Sequence, residues 1–492
     1  MRRFIETIKQ KWLRDTLLTI VLVLIIVAGF VLINIGFKKL DITPFDFTQQ
    51  KIYSLSDDSK TEISKVEQNV NVYFFGYDED STAVTLGKQY HNINDKITIQ
   101  LVNATERPDL ATEFGVTSTS TQLIAVSSNQ RNKVLESSDM YTYDESTYQT
   151  IDITEQKMTN AILDVTISSK PQVYFLTGHG EYGISSYSYM YYLAQDITNE
   201  VNDVNTLDLL SSDMPAQCDV LIIANPTKDF TDLETTKLQN YINGGGKIVW
   251  LQDPYIFNES DTTGTSLVNV NKILSLYGIS FSKGVVCEGS SNNMIANSPE
   301  LIIPTLSYNS IVKDIYTDGS MVMIDAGKIN TADDSTLENL NVTASAFIKS
   351  TDQSFYRENI TSSITTKVDR DETGPFVLGE TLTKTVDSSK GTTSTLVAYS
   401  NAYFATNSKI QLTSSSTTTP IALRNNKDIL LNTVAFLSNR EDSIRIRKDT
   451  GVVNFTAASD TQNKIVLTII FAIPVAIVIA GIIVPIVRKR KK

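Results

Sequence analysis

Apolar positions follow three patterns along this chain. Residues 16–37 and 465–487 are mainly apolar runs without a single charge, each long enough to cross a hydrocarbon core of about 30 Å at about 1.5 Å per helical residue. Between them, short apolar runs alternate with segments of helical spacing. From about 288 to 390 the pattern becomes polar and β-leaning, with residues 321–324 and 344–349 as its clearest strands.

The first stretch of the middle reads element by element. Ser56 or Asp57 caps a helix running through Glu62 and Val66. Residues 70–77 and 97–104 are strands. Pro108 opens a short helix that Gly115 closes, and 121–127 with 133–140 make a hairpin across Asn129 and Asn132. The order strand, helix, strand, helix, two strands predicts a thioredoxin-like domain over residues 45–150. Where such folds carry their cysteine pair, this chain has Tyr77-Asp78-Glu79-Asp80, which excludes thiol exchange.

A second domain is expected over 151–440. Residues 154–167 form a helix stopped at Lys170-Pro171. Strands follow at 173–176, 204–209, 219–224 and 247–251, with helices at 186–200, 232–243 and 266–277. Residues 395–399 and 427–437 add a last strand and helix. Alternation of this kind predicts a doubly wound, mostly parallel α/β sheet, with 288–390 as a β-rich insertion. The tyrosines of 187–192 sit at helical spacing and are expected to pack that helix. The serine/threonine run 413–419 is expected as an exposed loop.

Charge then sets the topology. Ten of the 43 Lys and Arg flank the apolar runs on their terminal sides, in tails 1–15 and 488–492, against only Glu6 and Asp15 among the 55 acids. Basic flanks stay cytoplasmic. The expectation is therefore an α/β protein of the cell membrane, anchored by one helix at each end, with both termini cytoplasmic. Residues 38–464 then form an extracytoplasmic body joined to the second anchor by a linker at 441–464. That body is strongly acidic, which keeps it soluble and disfavours nucleic acid and anionic headgroups as partners. Cys218 and Cys287 are too few for a disulfide framework, and free thiols are favoured over one bridge.

Candidate chemistry is sparse. Thr177-Gly178-His179-Gly180-Glu181 ends a strand, where open α/β sheets bind ligands. His179 and Glu181 have the chemistry for acid/base work, yet the other histidine, His91, falls in the other domain and no nucleophile pairs with His179 by a recognisable spacing. A tight turn with a hydrogen-bonded histidine accounts for the same residues. Asp253 ends a strand at the same edge. Gly178, His179, Gly180, Glu181 and Asp253 are thus candidates for a ligand or partner contact, with no catalytic residue, metal site or cofactor assigned. Gly244-Gly245-Gly246 follows a helix and precedes a strand, the reverse of a phosphate loop.

These stretches together resemble the gliding-motility-associated ABC transporter auxiliary family, the GldG-like proteins. The resemblance runs through Phe45-Asp46-Phe47-Thr48, Lys51-Ile52-Tyr53-Ser54-Leu55-Ser56, residues 153–162, the Gly-His-Gly-Glu turn, residues 426–432, and Ser443-Ile444-Arg445-Ile446-Arg447. Residues 288–390 match poorly. The resemblance implies a sheet similar to the glutamine-amidotransferase-like domain of intraflagellar transport proteins, without its catalytic cysteine. It also implies a non-enzymatic accessory membrane subunit working with a separate ABC permease and ATPase, whose body binds a partner, a cargo or an envelope component. Two rival readings remain: a membrane-anchored envelope hydrolase using His179 and Glu181, and a small-molecule-binding receptor. A hydrolase requires an open cleft at His179. An accessory subunit requires an exposed apolar or aromatic surface.

Overall fold

In the computed structural model, residues 28, 54–129, 131–144, 149–254, 267–313, 315, 320–358, 366–413 and 416–440 are described. Ser56 caps α1 (Asp57–Ser64) by accepting from the Ser59 amide, satisfying an orphan donor of the first turn. There follow β1 (Val70–Phe75), α2 (Thr82–Ile93), β2 (Ile97–Val102), α3 (Pro108–Glu113), and the hairpin β3 (Leu123–Ser128) and β4 (Arg131–Glu136). They form a four-stranded sheet in the order β2-β1-β3-β4, with β1 parallel to β2 and antiparallel to β3.

Helix α4 (Thr154–Thr166) completes this first core. Its Met158, Ala161, Ile162 and Val165 are buried against Val70, Val72, Phe74 and Ile124. Full burial of such side chains contributes roughly 1.5–3 kcal/mol for each of the larger ones. The buried Glu155 fixes the register by accepting from the Ser56 amide at 2.6 Å and the Ser59 hydroxyl at 2.6 Å. The helix expected to open the second domain therefore closes the first core.

The remaining chain builds a ten-stranded sheet. Its elements are β5 (Gln172–Thr177), α5 (Tyr191–Asn199), β6 (Asp203–Asp208), β7 (Val220–Ala224), α6 (Asp232–Asn243), β8 (Lys247–Leu251) and α7 (Val268–Ser275). Then come β9 (Ile279–Phe281), β10 (Ile329–Thr331), α8 (Asp334–Asn339), β11 (Val342–Lys349), β12 (Val377–Asp387), β13 (Thr392–Tyr399) and α9 (Asn426–Leu437). The order is β9-β10-β12-β13-β8-β7-β5-β6, with β11 also paired to β12 and the short strand Thr305–Leu306 paired to β11. Strands β6, β5, β7, β8 and β13 are parallel.

Both faces of this parallel block are covered, and the period-two alternation of each strand decides which side chain goes where. Val173, Phe175, Val220, Ile222, Val249 and Leu251 pack with α5 and α9. Leu176, Leu221, Ile223, Ile248 and Trp250 pack on the opposite side with α6 and α7. Successive strands step outward from β5 in opposite directions, so the connections diverge between β5 and β7. That divergence is the topological switch point, where open α/β sheets leave a crevice beyond their carboxyl ends.

Four expectations are corrected. Among the described residues no helix is long and apolar enough to cross a membrane; the architecture anchored at both ends, and the two-pass localisation built on it, do not stand. Apart from Ala28, the segments that prompted them, 16–37 and 465–487, lie outside the described residues. The segment 288–390 is not simply an insertion into the sheet, since β10, β11 and β12 are strands of the sheet itself. The helix expected over 186–200 begins only at Tyr191, and its tyrosines do not pack it: Met190 is buried, while Tyr187 is wholly exposed and Tyr189 and Tyr192 are about half exposed. The serine/threonine run holds a hairpin, Ile410–Thr413 with Ser416–Thr418, and Thr418 and Thr419 are buried. Both cysteines are free.

Candidate functional site

The switch point is occupied by the turn Gly178-His179-Gly180-Glu181. Gly178 has φ +118° and Gly180 φ +82°, backbone that glycine adopts without a Cβ penalty. At Gly180 a Cβ would also stand 2.1 Å from Thr227 Oγ1. The turn is sewn to the end of β7: the amides of Thr227 and Lys228 donate to the His179 carbonyl at 2.8 and 2.9 Å.

The His179 side chain points into protein. It is 4% exposed, stands edge-on to the Phe230 ring at 4.9 Å, and is held between two buried carboxylates. Its Nδ1 lies 3.4 Å from Glu181 Oε1 and its Nε2 lies 3.2 Å from Glu234 Oε2. Glu181 also accepts from the His179 amide at 2.6 Å. The hydrogen bond to Glu181 raises the imidazole pKa above 6.5, against the opposing effect of burial, with the Glu181 and Glu234 charges adding to the rise. The ring is held between two glutamates, whose proximity favours its protonated form.

Asp253 occupies the neighbouring crevice wall. Its Oδ1 accepts from the Ala402 amide at 2.6 Å, the Tyr403 amide at 2.9 Å and Asn401 Nδ2 at 2.9 Å, and its Oδ2 accepts from the Tyr182 hydroxyl at 2.8 Å. Burial raises its pKa, partly offset by those donors. The fold thus brings His179 and Glu181 together and places Asp253 one residue further on, through Tyr182. All are turned toward protein partners.

Sequence reasoning left out Glu234, Tyr182 and Thr227. Glu234 was detectable: Thr231-x-x-Glu234 before an apolar run is a capping box, and both reciprocal bonds are present. Tyr182 and Thr227 carry no local signal; only the tertiary fold brings them to the turn.

Several of the side chains that face outward at this edge are large and apolar, among exposed polar ones such as Lys228 and Asp232. Ten large hydrophobic side chains are exposed among the described residues, and six stand just beyond the carboxyl ends of parallel strands. Tyr187, Tyr189 and Tyr192 follow β5, Leu210 follows β6, Leu233 opens α6 after β7, and Val268 opens α7 after β8. Two concavities lie elsewhere. One of about 500 Å³ involves Ser64, His91 and Lys96, and one of about 360 Å³ involves Glu62, Leu163 and Arg440. Among the described residues no cluster of His, Cys, Asp and Glu is arranged to hold a metal ion.

A family model described as "ABC-type uncharacterized transport system" matches residues 170–433, from the start of the large sheet into α9. No curated protein matches the chain. Among solved structures, the chain is similar to an IFT52 N-terminal domain at 12% identity, covering 54% of this chain and 97% of that one, with a TM-score of 0.36. It is also similar to a putative ThuA-like protein from Bacteroides uniformis at 10% identity, covering 56% and 93%, with a TM-score of 0.29. Likeness at that level carries no argument about function.

Proposed function

We proceed from the fact that this chain belongs to the ABC-type uncharacterized transport system family, of which the GldG-like proteins are members, and propose that it is a non-catalytic accessory component presenting the carboxyl edge of its large sheet to a partner. Its family marks it as an auxiliary component of an ABC-type transport system. The finer reading adds direct association with the permease or ATPase, and contact through the edge that holds the switch point.

One observation carries this reading: six of the ten exposed large hydrophobics share that edge. Exposed apolar surface costs solvation and, where it gathers, marks an interaction site. The buried groups beneath serve the same end. The Glu181–His179–Glu234 clamp and the Asp253–Tyr182 bond fix the turn and the crevice wall from which the exposed residues project. For the hydrolase reading, an acid/base histidine must reach a substrate proton, whereas both nitrogens of His179 face carboxylates inside the protein.

Tagged full-length protein purified gently from its native cells tests the reading. ABC ATPase and permease chains are expected to co-purify in stable ratio. Their absence, with the protein recovered alone under several gentle conditions, overturns the association.

A further inference from the structure

We propose that the first domain and the large-sheet domain meet at a hinged seam, with Lys170-Pro171 as its pivot and Arg440 as its latch, so that the first domain swings against the large sheet. This goes beyond the accessory-component reading and does not depend on which partner the carboxyl edge meets.

The apolar cores stop short of the seam. Among the described residues every buried hydrophobic cluster is confined to one side: two draw only on residues 55–165, and four only on residues 173–437. Helix α4 gives its apolar face to the first core, and the side chains it sends across the seam are polar. Lys157 Nζ donates to Asn199 Oδ1 at 3.1 Å, and Asn160 Nδ2 donates to the Asn199 carbonyl at 2.7 Å, both at the last residue of α5. The buried Asn160 Oδ1 has no hydrogen-bond partner among the described residues. Where domains share no apolar burial, relative motion is the default expectation, because polar bonds of this kind exchange for water at small net cost.

The pivot is short. Up to Lys170 the chain is tied to the first domain: Arg131 donates to the Ile167 and Ser168 carbonyls. Lys170 pairs with Asp164 at 2.6 Å, against 3.9 Å to Asp203 across the pivot. From Pro171 the ties belong to the second domain. The Pro171 carbonyl accepts from the Asp203 amide at 3.0 Å, and the Gln172 amide donates to Asp219 Oδ2 at 2.7 Å. The exposed Gln217 side chain reaches back to Ser169 at 3.3 Å. A few residues at the ends of elements are what absorb a hinge motion, and here they lie between the end of α4 and the start of β5.

Arg440 faces the seam from the second domain. It follows α9, donates to the Val201 carbonyl at 3.1 Å, and shares a cavity of about 360 Å³ with Glu62 and Leu163 of the first domain. Burial lowers its pKa, and the charges of Glu200 and Glu62 act against that. The guanidinium therefore lies in the field of one buried carboxylate from each domain. A cavity at that point departs from the close packing of a domain interior, as a seam that opens requires.

Double electron–electron resonance on the purified full-length protein tests this, with spin labels on Leu101→Cys in the first domain and Leu233→Cys in the second, both exposed positions. The background carries Cys218→Ser and Cys287→Ala, and Leu233→Cys with Tyr308→Cys is the control pair within the second domain. Arg440→Gln is expected to widen the cross-domain distance distribution about twofold or more, as for a hinge released from its latch, with the control pair unchanged. A cross-domain distribution no wider in Arg440→Gln than in the parent overturns the proposal. If the control pair widens as well, the variant has lost its fold, and Lys157→Ala, which gives up the bond to Asn199, decides by the same criterion. Co-purification with transporter chains bears on neither result, so the two readings fail separately.

Discussion

His179 Nε2 lies 3.2 Å from Glu234 Oε2, and that same oxygen accepts from the Thr231 amide at 2.8 Å and the Thr231 hydroxyl at 2.7 Å. One carboxylate oxygen therefore joins the switch-point turn to the first turn of α6. Substituting Glu234 removes both the cap and the partner of His179 Nε2. Glu234→Ala is expected to destabilise by about 3–5 kcal/mol, the range for breaking a buried ion pair. Thr231→Ala, which loses only the cap, should cost about 1 kcal/mol. Denaturant midpoints at matched m-values measure both, and equal losses would contradict the shared role of Glu234.

The clamp makes stability fall with rising pH. The folded pKa of His179 is raised above 6.5, so folding favours the protonated form. That contribution is complete below about pH 6.5 and is lost as pH rises through the folded value. In a His91→Gln background His179 is the remaining imidazole, and its NMR titration should have a midpoint above 6.5. His179→Gln should flatten the alkaline fall of the denaturation midpoint. A titration midpoint at or below 6.5 would contradict the clamp.

Gly180 separates backbone strain from steric contact. Gly180→Ala places a Cβ 2.1 Å from Thr227 Oγ1 at φ +82°, and a loss of about 2–4 kcal/mol is expected from the two effects together. Thr227→Ala in the same chain removes the clash and leaves the strain, so rescue should be partial. Thermal melting of the two single variants and the double variant measures it, and complete rescue would show that φ contributes nothing.

How legible these relationships were depends on how local they are. Helix α6 and strand β8 begin and end where the sequence places them, because Thr231-x-x-Glu234 and the glycines from Gly244 are adjacent, local signals. The tyrosine stretch misled because helical spacing alone does not oppose a local alternative. Ser188 donates from its amide to Ser185 and pairs with its hydroxyl at 2.7 Å, and such bonds compete with helix. The place of β11 in the large sheet rests on an antiparallel pairing with β12 across about thirty residues, and nothing in either strand names its neighbour. Gly178, His179, Gly180, Glu181 and Asp253 could be located at a strand's carboxyl edge from sequence. That the side chains of His179, Glu181 and Asp253 turn inward, while Tyr187, Leu233 and Val268 are exposed, came only with burial.

Asp253 shares one oxygen among three donors. Asp253→Ala strands the Ala402 and Tyr403 amides and the Tyr182 hydroxyl, with an expected loss of about 2–4 kcal/mol. Asp253→Asn keeps an acceptor oxygen and should cost less than half as much. Urea denaturation ranks them, and equal losses would contradict acceptance of backbone donors as the main role of Asp253.

The central claim is that the carboxyl edge of the large sheet is the surface an ABC-type transport partner meets. Photo-crosslinking in the native cells tests it most directly, with a benzophenone amino acid placed singly at Leu233, Val268, Leu101 or Tyr308, all exposed. The account expects Leu233 and Val268 to capture a transporter permease or ATPase, identified by mass, while Leu101 and Tyr308 do not. Capture from Leu101 or Tyr308 but not from Leu233 and Val268 would contradict it.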